Sequence, residues 1–184
     1  DTFSVDSSYK TRIYNFIKKH LDKGLQAYIV CPLVEETESA MTSAVKYAEE
    51  LSKKEFKDYK VGLLHGKMKA KDKKEVMESF SKGEIQLLVS TTVIEVGIDV
   101  PNATMMVIFD SYRFGLSQLH QLRGRVGRGN NQSYCVLISD REAERLSVME
   151  QTTDGFKISE EDFRLRGSGD IFGTRQSGEI KFKL

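Results

Sequence analysis

Four arginines, Arg113, Arg123, Arg125 and Arg128, fall within residues 111–139, a stretch without a single Asp or Glu. The whole chain carries 28 Lys plus Arg against 27 Asp plus Glu, a net charge of +1, so this imbalance is local. A guanidinium is planar, permanently charged and shaped for bidentate contact with phosphate oxygens. Gln121, Arg125 and Arg128 stand at i, i+4 and i+7, which places them on one face if helical geometry persists through them. Leu116, Leu119 and Leu122 then occupy another face, suited to docking on a core. Gly124, Gly127 and Gly129 alternate with the arginines and would let a polyphosphate approach closely. The plain alternative is a solvated helix end with ordinary surface arginines, and the lack of a balancing carboxylate argues against it.

A second stretch, 90–101 (STTVIEVGIDVP), directly follows an apolar run. Its hydroxyls and Gly97 can bind phosphate or sugar oxygens, and Asp99 can accept from a ribose hydroxyl. The same residues also describe a helix cap at Ser90 or Thr91 followed by a glycine turn, and spacing alone leaves both readings open. No G-x-x-x-x-G-K-[ST] phosphate loop exists; the nearest stretch, 62–68 (GLLHGKM), has the wrong spacing and no closing hydroxyl. Without that loop and a paired acidic strand end, the chain is at most half of an ATPase.

The elements that position these residues follow from apolar periodicity. Residues 9–21 space Tyr9, Ile13, Phe16, Ile17 and Leu21 as a helix, with Ser8 as its cap and Gly24 as its stop. Strand-like runs at 26–32, 60–64, 85–90, 104–109 and 133–138 alternate with helical segments at 38–56, 69–81 and 116–122. Runs this continuous imply a parallel sheet covered on both faces. In such sheets ligands bind beyond the carboxyl ends of the strands, which directs attention to the loops after Val30, Leu64, Val89 and Ile108. Beyond residue 139 the character changes: 141–151 reads as a helix, 159–165 opens with a helix-start pattern, and glycines then crowd 167–178. The chain divides on this reading into an α/β domain over 1–139 and an appendage over 140–184.

Composition bounds the rest. At 184 residues, 39% hydrophobic and 30% charged, the chain is long enough to bury a core and too apolar for disorder. No run approaches a membrane span and no secretory signal is visible, which points to the cytoplasm. Cys31 and Cys135 sit in apolar runs and read as inert core thiols; with 3 histidines, no metal site is expected.

The segment 121–128 (QLRGRVGR) resembles the sixth motif of superfamily 2 helicases, 90–101 resembles the fifth, and 64–67 (LHGK) the element after the fourth. Order and separation are similar to those of their second RecA-like domain. More narrowly, 26–36 (QAYIVCPLVEE) and 162–178 (DFRLRGSGDIFGTRQSG) resemble the RecG family of bacterial branch-migrating helicases. The tail is also shared by transcription-repair coupling factors, which stand as the alternative, beside a DNA-binding or protein-binding module with no ATPase role.

The resemblance implies a RecA-like open parallel sheet with a C-terminal helical hairpin and loop. It implies that Arg125 and Arg128 act as arginine fingers, that Gln121, Gly97 and Asp99 approach the nucleotide, and that Thr91 and Thr92 lie near the nucleic-acid backbone. Arg166, Arg175 and Gln176 match the polar positions of a translocation motif that converts ATP hydrolysis into DNA movement. ATP and Mg²⁺ would be held mainly by a first RecA-like domain, which, like an N-terminal wedge domain, is absent from this sequence. Branched DNA and those two domains are the implied partners. The chain, which does not start with Met, is expected to be part of a longer protein and inactive in ATP hydrolysis alone.

Overall fold

The computed structural model describes residues 1–32, 38–91, 100–127, 129 and 131–173. Among these, strands β1 (Thr2–Val5), β2 (Gln26–Val30), β3 (Val61–Leu64), β4 (Leu87–Ser90), β5 (Ala103–Ile108) and β6 (Tyr134–Ile138) form one sheet in the order β1-β6-β5-β2-β4-β3. Every neighbouring pair is parallel, so the sheet has one amino edge and one carboxyl edge. The helices are α1 (Lys10–Asp22), α2 (Glu38–Lys53), α3 (Ala70–Ser81), α4 (Leu116–Arg123), α5 (Ala143–Gln151) and α6 (Gly155–Gly173).

Consecutive residues of the central strands alternate between two cores. Tyr28, Val30, Leu88, Met106, Ile108 and Leu137 face one, packed on Phe80 of α3, Leu116, Leu119 and Leu122 of α4, Leu146 and Met149 of α5 and Ile158 of α6. Ala27, Ile29, Leu87, Val89, Met105, Val107 and Val136 face the other, covered by Ile13, Ile17 and Leu21 of α1 and Leu51 of α2. Burial on both faces is why these strands read as unbroken apolar runs. Each fully buried Leu, Ile, Met or Phe side chain contributes about 1.5–3 kcal/mol by leaving water. The α/β class and the doubly covered parallel sheet agree with the sequence expectation.

Three local features differ from it. Strand β1 has no sequence signal of its own; four residues pair with β6 and end on the bond from the Ser139 amide to the Val5 carbonyl, 2.9 Å. The cap expected at Ser8 belongs to Asp6, whose carboxylate accepts from the Ser8 amide at 2.9 Å and starts a 3₁₀ turn ahead of α1. The last helix begins at Gly155 rather than Ser159, because Asp154 accepts from the Phe156 amide at 3.0 Å, and it continues past Gly167 and Gly169. Gly24 does end α1, at φ +84°. Burial raises the thiol pKa of both Cys31 and Cys135 to about 12, consistent with inert thiols.

Candidate functional site

Helix α4 runs from the carboxyl edge to the amino edge of the sheet. Near its start, the Ser111 hydroxyl donates to the Ile138 carbonyl at the end of β6, 3.2 Å. At its end, Arg123 donates to the hydroxyl of Thr2, the first residue of β1, also at 3.2 Å. The helix stops there: the Gly124 amide bonds to the His120 carbonyl and the Arg125 amide to the Leu122 carbonyl, both at 3.0 Å. Gly127 then takes φ +86°, outside any right-handed helix.

The helical register therefore does not persist, and the expected face of Gln121, Arg125 and Arg128 is not formed as a helix face. Gln121 is exposed on the last turn of α4, and Arg125 is half-buried on the loop that follows. Arg128 lies outside the described residues.

The arginine loop stands at the amino edge. Gly124 lines a cleft of about 670 Å³ with Thr2, Arg123, Ser133 and Tyr134, at the starts of β1 and β6. Gly129 packs on Pro101, just before β5, so closely that an added Cβ would lie 2.6 Å from the Pro101 carbonyl oxygen. The loop thus lies at the opposite edge from the loops after Val30, Leu64, Val89 and Ile108, to which the sequence directed attention. Eight helical residues at about 1.5 Å each carry the chain roughly 12 Å back along the sheet before the arginines appear.

The carboxyl edge carries a different set. Thr91, one residue beyond β4, is buried; its amide donates to the Leu64 carbonyl at 3.1 Å, while its hydroxyl has no hydrogen-bond partner among the described residues. A buried hydroxyl without a partner is unusual and suits a ligand oxygen or donor brought to that edge. Thr92, Gly97 and Asp99 lie outside the described residues. The flanking residues Thr91 and Val100 are at opposite edges.

The bonds that hold α4 in place had no counterpart in the motif reading. Arg123, a member of the acid-free stretch, directs its guanidinium at protein oxygens. Its guanidinium donates to the Met149 carbonyl at 2.6 Å and the Thr152 carbonyl at 3.0 Å, tying α4 to the end of α5. Burial lowers its pKa from the usual arginine value. Asp162 on α6 is buried, and its carboxylate accepts the Leu116 amide at 3.2 Å, capping the first turn of α4. Gly155 lies against the His120 ring, where a Cβ would come within 2.8 Å of Nε2. Helix α6 thus runs antiparallel to α4, from near the amino edge to the carboxyl edge and beyond. Arg145 on α5 donates to the Tyr112 and Phe114 carbonyls at 2.8 and 3.1 Å, fixing the loop that enters α4. The backbone of Arg166 belongs to α6 and its side chain lies outside the described residues, as do Arg175 and Gln176.

Among the described residues no group of three His, Cys, Asp or Glu is placed to hold a metal ion, and no helix is long and apolar enough to cross a membrane.

Residues 10–130 match the model of the helicase conserved C-terminal domain, and residues 152–184 match that of the C-terminal part of domain 3 of the ATP-dependent DNA helicase RecG. The chain is 50% identical to the ATP-dependent DNA helicase RecG of Bacillus subtilis over 100% of its own length and 28% of the relative's. A structure of RecG bound to a three-way DNA junction superposes with a TM-score of 0.79 at 47% identity, covering 92% of this chain and 22% of that one. The C-terminal domain of the DEAD-box protein Dbp5 superposes at 0.53 with 18% identity, over 91% of this chain and 86% of that one, a likeness of fold alone. The chain spans about a quarter of the length of its RecG relatives.

Proposed function

Because the chain belongs to the helicase conserved C-terminal domain family, we propose that it is the second motor lobe of an ATP-dependent DNA helicase of RecG type. The substrate class is branched DNA, such as stalled forks and Holliday junctions. The observation that supports this reading is that Arg125 and Thr91 stand at opposite edges of the sheet, with α4 spanning the distance between them.

Arg125, at the amino edge, acts together with Arg128 on the phosphates of ATP held chiefly by a first RecA-like lobe. That stretch suits a polyanion, since residues 111–139 contain no carboxylate. Hydrolysis of the terminal phosphoanhydride supplies the free energy. A finger guanidinium neutralises charge that grows on the transferring phosphoryl oxygens, an effect on the order of 10³–10⁵ in rate. Gln121 orients the arginine loop or the nucleotide, and Gly97 and Asp99 approach the nucleotide from the segment after β4. This chain has no phosphate loop, so the Mg²⁺ and most triphosphate contacts fall to the other lobe.

Thr91, at the carboxyl edge, contacts the DNA backbone together with Thr92, and the Thr91 hydroxyl, unpartnered among the described residues, supports that role. Residues 140–184 form the coupling unit. A shift of the arginine loop on hydrolysis moves α4, and Arg123 and Asp162 pass that motion to α5 and α6. Arg166, Arg175 and Gln176 then act on DNA. Reconstitution tests the reading: the isolated chain should show no ATP turnover, and the full-length protein should show DNA-stimulated turnover. Turnover by the isolated chain that Arg128→Ala abolishes would overturn it.

A further inference from the structure

Arg113, a member of the acid-free stretch, stands at the opposite edge from the arginine loop. Arg113 closes the 3₁₀ turn Ser111–Arg113, which leaves β5 at the carboxyl edge, and it is exposed. Its guanidinium lies over the Tyr112 ring, 5.1 Å from the centroid. The guanidinium of Arg141, which follows β6 at the same edge and is also exposed, lies over the same ring at 5.2 Å. Two cations repel one another unless something gathers them, and here the shared π system does so.

Neither guanidinium is ion-paired to a carboxylate among the described residues. The neighbouring acids are engaged elsewhere. Asp6 accepts from the Ser8 amide, Asp140 from the Ser7 amide at 3.0 Å, and Glu142 from Arg145 at 3.1 Å. Asp110 lies on the β2 side, close enough to Cys31 for its charge to help raise that thiol's pKa. Both loops also carry a non-glycine residue in the left-handed region, Asp110 at φ 47° and Glu142 at φ 54°. Such conformations persist where surrounding structure imposes them and cluster at functional sites.

We propose that Arg113 and Arg141, gathered on Tyr112, form a phosphate-binding station for the phosphodiester backbone of a nucleic acid crossing the carboxyl edge. A guanidinium stacked on a ring keeps its N–H edge free to donate to phosphate oxygens. A nucleoside triphosphate offers the same chemistry, but the arginine loop assigned to it stands at the opposite edge. The inference rests on the helicase reading, since it needs DNA at this edge.

The test uses the full-length protein and a three-way DNA junction, with affinity measured across a salt series. In Arg113→Ala/Arg141→Ala the slope of log K against log salt should become shallower by about 0.9 for each phosphate that the protein no longer neutralises. The KM for ATP at saturating DNA should stay at the parent value. Arg113→Lys/Arg141→Lys should retain the parent slope, which separates missing charge from a disrupted fold. Should the alanine variant melt early, single Arg113→Gln and Arg141→Gln variants must each give half of the change. An unchanged slope overturns the station, and so does a raised KM for ATP with the slope unchanged, which would assign the arginines to nucleotide. If the parent enzyme shows no DNA-stimulated hydrolysis, the helicase reading itself fails; stimulated hydrolysis with an unaltered slope removes the station alone.

Discussion

The carboxylate of Asp162, on the last described helix, accepts the backbone amide of Leu116 at the first turn of α4, 3.2 Å away. That bond fastens the start of the helix leading to the arginine loop to the helix leading to the C-terminal tail. Removing a helix-capping side chain costs about 0.5–2 kcal/mol, and a buried site such as this belongs at the upper end. Asp162→Ala should therefore lower the melting temperature by several degrees, read by thermal unfolding of the chain. Asp162→Asn, which keeps an acceptor oxygen, should lose less.

Arg123 and Arg125, two positions apart, should behave as opposites. Arg123 bonds two backbone carbonyls of the α5 end, so Arg123→Ala strands both and should cost about 2–3 kcal/mol, visible as an earlier urea midpoint. Arg125 lies on the loop and is half-buried. Arg125→Ala should show its effect in catalysis, removing ATP turnover in the full-length enzyme.

The arginine loop has no room for a side chain at Gly129. A Cβ there would meet the Pro101 carbonyl oxygen, a backbone atom that cannot swing aside, at 2.6 Å. Gly129→Ala should displace the loop, and a displacement near 1 Å at a catalytic group costs on the order of 10²-fold in rate. Steady-state ATPase of the full-length enzyme, with a melting curve as control, reads the effect.

Stability should also depend on His20. Its ring is buried against Phe16 and Tyr134, and burial lowers its pKa below the ordinary 6.5, with the Phe16 carbonyl bond opposing. The unfolded chain then binds a proton that the folded chain refuses, so this contribution is complete above 6.5 and is lost as pH falls below it. Asp140, depressed by its bonds to Ser7, adds its own loss only below the ordinary carboxyl value of 3.8. Denaturant midpoints between pH 8 and about pH 5 should therefore decline, and His20→Phe should flatten that decline.

Much of this architecture was legible from residue pattern. The strands β2, β4, β5 and β6 are apolar at consecutive positions, and only a sheet buried on both faces explains that. Strand β1 was not legible, because its four residues are a strand only through pairing with β6. The acid-free stretch did mark the arginine loop, but not its edge: that depends on α4 ending at Arg123, which the glycines enforce and a wheel projection ignores. Arg123 and Asp162 were hidden for a related reason. Their partners are backbone groups of distant elements, and no spacing in the sequence announces a long-range bond to a carbonyl or an amide.

The most direct test is ATP turnover by the full-length enzyme carrying Arg125→Ala or Arg128→Ala, at saturating DNA. The amino-edge assignment predicts a fall of about 10³–10⁵ in kcat with DNA affinity retained. Turnover at the parent rate in both variants would contradict it.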